Sequence, residues 1–419
     1  MVGEVVGVGI FLTPAGMMKA LGAPMPLLLV WLGMGGAALC GALCYGELAA
    51  RFPEAGGGYV YLREAYGPQV AFLYGWKCLL VMDPGLTAAL ATGIASYAVG
   101  LVPALPATGV ALATVFLAAL ANALGLRLAA GVGRILAFVK VGLLGLIVVW
   151  GFGARLGDVA RFFPLWERRL GAEPLVPAVA GALVAAFFSF GGWWDVSKLA
   201  GEMREPQKNL PRALIVGVVI VTVIYVATSA VFLYLVPFQD ISASATFADR
   251  AGVALFGARG GTVLSLIVIL CVGSSLLAFM TAAPRVYYAL AKDGLAVEAL
   301  AAVDPRTGAP LRAIALQAAL ASVLVLLGGF SDIVAYFVFV TVAFLALSVA
   351  GLFRLRRRGP PSPYLTPAFP LPAIAFLAMV SVILVLLAIG NPVQAGLGVA
   401  VTALGVPVYR WLDARRAHS

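Results

Sequence analysis

The sequence predicts an all-α polytopic membrane protein of about twelve transmembrane helices, and three observations carry that prediction. Only 11% of the 419 residues are charged and 63% are hydrophobic, whereas a soluble domain averages about 25% charged residues. The charges cluster, and between clusters run apolar stretches of roughly eighteen residues or more, enough to cross a hydrocarbon core of about 30 Å. No stretch alternates polar and apolar residues as a transmembrane barrel strand would. Residues 1–419 therefore read as a single membrane domain without a sizeable soluble one.

The runs place helices over 2–20, 25–50, 69–99, 104–126, 132–153, 176–198, 212–236, 261–290, 311–328, 331–353, 370–390 and 393–410. Helix 1 is interrupted: "GEVVGVGIFLTP" is apolar, yet holds three glycines, a proline and one carboxylate, Glu4. Helix 2 ends with Glu47 one turn before Arg51, a spacing that predicts a pair. Helix 3 carries Lys77, and Asp83 beside a proline kink; Asp83 reads as a ligand contact, a partner of Lys77 or a protonated carboxyl. Helix 5 holds Lys140 within "ILAFVKVGLLG". Helix 6 is interrupted at "AAFFSFGGWWDVSK", and Asp195 and Glu202 follow the break, open either to a gate network with Arg204 or Arg285 or to simple solvation. Only "GGFSD" separates helices 9 and 10, and "RLRRR" after helix 10 reads as a stop signal rather than a lipid-headgroup site.

Lys and Arg set the orientation. With the N-terminus in the cytoplasm, nineteen of the 28 basic residues fall on the inner side, Lys198 and Arg204 among them, and seven on the outer side. Lys77 and Lys140 lie inside apolar runs. The even helix count puts both termini inside, so the net charge of +10 is a topology signal and no nucleic-acid partner is expected. Cys40, Cys44, Cys78 and Cys271 all sit in apolar runs, with no disulfide framework or metal spacing. The lone His418 lies at the C-terminus, which leaves no histidine proton relay. No cleavable signal peptide is evident.

Gly7 and Gly9 interrupt helix 1; Gly191 and Gly192 interrupt helix 6. Five helices separate the breaks, so helices 1–5 (about 1–153) and 6–10 (about 176–353) form two halves of odd helix count, the second inverted, with helices 11 and 12 (about 370–410) added. Matched interrupted segments in two inverted halves point to a transporter's midplane site. Unwinding strands main-chain N–H and C=O groups. The N–H groups of Val8, Gly9 and Ile10 suit a carboxylate at a helix start; the carbonyls of Phe188 and Ser189 suit an ammonium. The breaks thus predict a zwitterionic substrate, an amino acid. Close-packing glycines are the alternative.

The residues resemble the amino acid–polyamine–organocation (APC) superfamily. "VGEVVGVGIFLTPAG" resembles its first helix with a G-x-G-I-F break; "CYGELAARFPEAGGGYVYLREAYGP" resembles the end of helix 2 and the next loop; "FSFGGWWDVSKLAGEMREPQKNLPRAL" resembles the helix 6 break and the segment after it; "PRVYYALAKDGL" and "DPRTGAP" resemble the end of helix 8 and its loop. The branch most similar is that of the L-type and cationic-type amino acid permeases. The resemblance implies a LeuT-like 5+5 inverted-repeat fold and alternating access. It places substrate contacts on Gly7, Val8, Gly9 and Ile10, and on Phe188, Ser189 and Gly191, with Phe188 as an aromatic gate and Lys140 as the family's helix 5 lysine.

Three departures stand out. Val8 replaces a serine common in relatives, and Glu4 replaces a small polar residue. The six residues before the break span roughly 9 Å at 1.5 Å per residue, short of the roughly 15 Å to the membrane surface, so a mis-assigned start or a trimmed chain is expected. The resemblance places the Lys140 ammonium where related folds hold sodium, near the carbonyls of Gly3 to Val6 and Ser274 or Ser275, which argues against sodium coupling. Proton symport through Lys140 and amino acid exchange with Lys140 as a fixed cation both remain open, with an interaction between Glu4 and Lys140 expected.

No nucleophile elbow, paired histidine or H-E-x-x-H motif is present, so no enzyme activity, cofactor or metal is expected. A channel needs a filter or charged ring, and a receptor normally brings a soluble domain. The predicted function is sodium-independent transport of neutral L-amino acids, with cationic amino acids or polyamines as the alternative. The animal L-type relatives join a glycoprotein through a cysteine between helices 3 and 4; "LVPALP" has none, so no disulfide-linked heavy chain is expected. Arginine outnumbers lysine 22 to 6, which fits a prokaryotic inner membrane.

Overall fold

At lipid depth every main-chain N–H and C=O must be bonded within its own segment, so the apolar runs fold as helices. The computed structural model describes residues 1–419 except 8, 125, 169–170, 239, 241–246, 329, 360 and 417–419. Val8, Arg169 and His418 therefore lie outside the described residues. Among the described residues there is no strand, and nine helical segments are long and apolar enough to cross a membrane. Two more, of 17 residues each, and the interrupted first segment bring the bundle to twelve.

The first segment consists of α1 (Val2–Val5) and α2 (Gly9–Leu21). The second is α3 (Pro24–Arg51), followed by the connecting α4 (Gly58–Tyr66). The third joins α5 (Pro68–Lys77) to α6 (Asp83–Leu101) through a π-helical turn, Cys78–Met82. The expected kink is thus a local widening: Pro84 has no N–H and its ring crowds the carbonyl four residues back. Next come α7 (Ala107–Ala123) and α8 (Leu126–Gly153). The sixth segment is α9 (Leu175–Phe190), continued past the break as a 3-10 helix, Trp193–Glu202. The seventh is α10 (Pro206–Leu235). A short α11 (Phe247–Phe256) precedes α12 (Gly260–Ala282) and α13 (Pro284–Lys292), which make the eighth. The remainder is α14 (Leu311–Leu327), α15 (Phe330–Arg358), α16 (Leu371–Gly390), α17 (Pro392–Ala403) and α18 (Gly405–Arg416).

Helices in equivalent places of the two halves pack on each other: α2 on α9, α3 on α10, and α6 on α12. A pseudo-twofold axis through a bundle brings equivalent helices together in this way, and the fold class is the LeuT-like one. Two arginines of the segment between α8 and α9 cap helix ends. Arg168 donates to the carbonyls of Leu21 (2.9 Å) and Ala20 (3.1 Å) at the end of α2. Arg161 donates to Tyr234 O (2.9 Å) and Leu235 O (2.6 Å) at the end of α10. A cation bonded to the last carbonyls of a helix satisfies groups with no intrahelical partner and complements the dipole.

Two expectations are corrected. Glu47 pairs with Arg356, not Arg51: Arg356 Nε donates to Glu47 Oε1 at 2.8 Å, and the Thr366 N–H donates to Oε2 at 2.8 Å. The sequence places the end of helix 10 at 353, but α15 continues to Arg358, which carries part of "RLRRR" to the end of α3, with Arg356 stacked 3.8 Å over Phe369. Lys198 is not an inner-surface cation; it is fully buried. Replacing Arg356 leaves the buried Glu47 carboxylate without its ion partner, and breaking such a pair costs about 3 kcal/mol. Arg356→Ala is therefore expected to lower the unfolding temperature of the detergent-solubilised protein, more than Arg357→Ala does.

Candidate functional site

α1 stops at Val5 and α2 begins at Gly9, opposite the place where α9 stops at Phe190. The two breaks touch. A Cβ on Gly9 would lie 2.6 Å from Ser189 Cα and 2.5 Å from its Oγ, so only glycine allows this approach. Gly192 adopts φ 99°, a left-handed conformation that side chains disfavour. Thr13 Oγ1 donates to Gly9 O at 2.9 Å and lies 3.0 Å from Ser189 Oγ. The Tyr225 hydroxyl reaches a carbonyl of each break, Val5 O at 2.9 Å and Ser189 O at 2.8 Å. It has one proton to donate, so the two carbonyls share it. Trp31 and Phe190 hold the Tyr225 ring edge-on at 5.3 and 5.1 Å.

The far side of the first break is held by Lys140. Its Nζ donates to Gly3 O (2.8 Å), Val6 O (2.6 Å) and Ser275 Oγ (2.7 Å). The side chain is fully buried. Among the described residues no ion pair joins Lys140 to Glu4; the carboxylate acts on the ammonium only through space. The ammonium finds main-chain oxygens instead.

Between the breaks lies a cavity with about 50 Å³ open to the centre of a water-sized sphere, several times what one water occupies on that measure. Of the residues that the sequence nominates, Glu4, Gly7, Gly9, Phe188, Ser189 and Gly191 line it. Ile10 does not; its side chain is packed in the core. Lys140 stands one layer behind, and Val8 lies outside the described residues. Further parts of the wall come from α6 (Leu86, Leu90), α12 (Phe279) and α15 (Phe337, Val338, Thr341), with Trp194 beyond the second break. Phe188 and Phe337 face each other with ring centroids 6.5 Å apart. The first N–H groups of α2 have no partner within their own helix. Main-chain dipoles thus meet a mostly apolar wall whose only carboxylate among the described residues is Glu4.

Sequence reasoning missed Tyr225 and the buried charges beneath the cavity. Asp83 does not pair with Lys77. Its Oδ2 accepts from the Tyr287 hydroxyl at 2.7 Å, and its Oδ1 lies 3.5 Å from Lys198 Nζ. Lys198 also contacts Asp195 Oδ1 at 2.6 Å. Lys77 rests 4.6 Å over the Tyr74 ring, with its Nζ 3.0 Å from Met82 Sδ. Of the suggested gate pairs, Glu202 and Arg285 meet at 2.9 Å. The spacing of Asp195 and Lys198, three apart, was a readable signal; the partner of Lys198 on a distant helix, Asp83, was not.

A helical bundle with a cavity between two touching helix breaks is the architecture of a membrane carrier. The chain belongs to the amino acid permease family, whose model matches residues 1–408, and so to the amino acid transport proteins of the APC superfamily. A b(0,+)-type amino acid transporter 1 of Oryctolagus cuniculus is 29% identical, covering 85% of this chain and 74% of that protein. The serine/threonine exchanger SteT of Bacillus subtilis is 28% identical over 99% of this chain and 95% of its own length. The large neutral amino acids transporter small subunit 2 of Homo sapiens is 28% identical over 97% and 77%.

Two substitutions test this geometry. Gly9→Ala drives a methyl into Ser189 and is expected to abolish uptake in liposomes while protein still reaches the membrane. Tyr225→Phe leaves two buried carbonyls without their donor, at about 1–3 kcal/mol, and is expected to lower the thermal unfolding temperature accordingly.

Proposed function

We propose that the protein carries neutral L-amino acids, small to medium in size, across the cell inner membrane by alternating access. It works without sodium, by amino acid exchange or by symport with a proton, and keeps both termini in the cytoplasm. The observation that carries this reading is the cavity shared by the two breaks. The N–H groups at the start of α2 suit the substrate carboxylate; Phe188 O accepts from Gly191 N–H and Ser189 O from Tyr225, and the second lone pair of each carbonyl suits the ammonium. The apolar wall of Leu86, Leu90, Phe279 and Phe337 suits an uncharged side chain, with Phe188 as the gate. The names of two relatives, a serine/threonine exchanger and a large neutral amino acids transporter subunit, support a neutral substrate. Lys140 supports sodium independence: its ammonium occupies the Gly3 and Val6 carbonyls and serves as a fixed cation. The asymmetry of Lys and Arg supports the orientation.

One observation favours a second reading, a cationic amino acid or polyamine: Glu4 lines the cavity, and its Oε1 is shut off from solvent with no hydrogen-bond donor. Purified protein in liposomes, given a panel of labelled neutral and basic amino acids and putrescine, decides between them. Saturable, stereoselective uptake of neutral L-amino acids, equal in sodium and choline media and accelerated by internal substrate or an inward proton gradient, is expected. Uptake confined to basic substrates selects the second reading, and dependence on sodium removes the role given to Lys140.

A further inference from the structure

We propose that Glu4, Asp195 and Asp83, gathered about Lys198, form an internal proton-binding site beside the substrate cavity. Asp83, Asp195 and Lys198 are all 0% exposed. They come from two separate elements, α6 and the 3-10 helix past the second break, while Glu4 comes from α1. Glu4 lies against the same break: a Cβ on Gly192 would sit 3.6 Å from Glu4 Cγ. Donors are too few. Lys198 Nζ is 2.6 Å from Asp195 Oδ1 and 3.5 Å from Asp83 Oδ1, and Tyr287 donates to Asp83 Oδ2. Among the described residues Asp195 Oδ2 and Glu4 Oε1 are buried with no donor at all. A buried carboxylate oxygen without a donor is costly, and carboxylates in one site do not all ionise together. Three carboxylates about one ammonium leave two negative charges in excess; one proton supplies a missing hydrogen and halves that excess.

The other charged and titratable groups facing the cluster do not fill this role. Lys77 on α5 rests on Tyr74 and Met82, and Lys140 on α8 is engaged by carbonyls. Tyr45 on α3, Tyr74 on α5, Cys78 in the π-helical turn and Tyr287 on α13 face it as neutral groups. Glu4 also gives the cluster access. It lines the substrate cavity, and so joins the cluster to it. Trp194 lines the substrate cavity and is the chain neighbour of Asp195. Whatever closes on a substrate at Trp194 therefore moves one member of the cluster. This gives the proton-symport branch of the proposed function a site that does not involve titration of Lys140, and to that extent it rests on that reading.

The test does not depend on transport. Infrared pH titration of the full chain in nanodiscs is expected to show the C=O stretch of a buried carboxylic acid. Asp195→Asn, which keeps the shape, is expected to remove it or shift its titration by at least tenfold in proton concentration. A wild-type protein with no titrating buried carboxyl overturns the proposal, whether or not the variants fold. So does a band unchanged in Asp195→Asn, Asp83→Asn and Glu4→Gln alike. In liposomes loaded with pyranine, addition of a transported amino acid is expected to acidify the lumen, and this response is lost in Asp195→Asn. Amino acid uptake by wild type without acidification overturns the coupling while leaving the carrier reading intact. A titrating band with no uptake of any amino acid fails the carrier reading instead.

Discussion

The Lys140 ammonium and the carbonyls of Gly3 and Val6 are the contact on which the site depends. A helix that stops in a membrane interior leaves carbonyls that water cannot reach, each costing several kcal/mol if unbonded. Lys140 supplies three donors and no acceptor, which matches the demand: two main-chain oxygens and the Ser275 hydroxyl, itself bonded to the same carbonyls at 3.2 and 3.0 Å. Three helical segments are fixed together through one nitrogen atom. The charge is held by dipoles rather than by a directly paired anion. The N–H groups on the opposite side of the break, at the start of α2, have no partner within their own helix.

The second break is held differently, and the contrast bears on motion. Past Phe190 the chain turns at Gly192 and continues as a 3-10 helix, whose hydrogen-bond geometry is poorer than that of an α-helix. Its ties to the bundle combine two ion pairs, Lys198 to Asp83 and Glu202 to Arg285, with the Gly56 N–H bond to Lys198 O and the ring contacts of Trp193 with Tyr45 and Phe376. Tyr225 bridges the breaks with a single proton for two carbonyls. Such a contact keeps the breaks in register yet breaks without leaving a buried charge, since hydroxyl and carbonyl are both neutral.

The transmembrane pattern was legible because hydrocarbon thickness is written in run length, and the breaks were legible because paired glycines recur five helices apart, at matched places in the two halves. The cavity wall at Gly7, Gly9, Phe188, Ser189 and Gly191 followed from them. Partners distant in sequence did not. Arg51 is the nearer base to Glu47, but the helix containing Arg356 runs a turn longer than its apolar residues imply. Lys198 looked like a boundary charge because the segment after Gly192 is short and polar; its burial is set by Asp83 on another helix. Tyr225 gave no local signal, since a tyrosine in an apolar run is ordinarily core, and only the meeting of two breaks gives its hydroxyl a role.

The interior thus holds two kinds of buried cation. Lys140 has its three donors engaged by Gly3 O, Val6 O and Ser275 Oγ, so removing its proton would take a donor from the main-chain scaffold of the first break. Lys198 faces side chains instead, and more carboxylate oxygens than it has contacts for. A proton gained or lost there changes only side-chain bonds and leaves the main-chain scaffold of the first break intact. That difference separates a cation that builds the site from a cluster free to change its charge. A carrier that must change shape at every cycle without dissolving its own binding site needs the two kept apart, as Gly3 and Val6 on one side and Asp195 and Asp83 on the other keep them here.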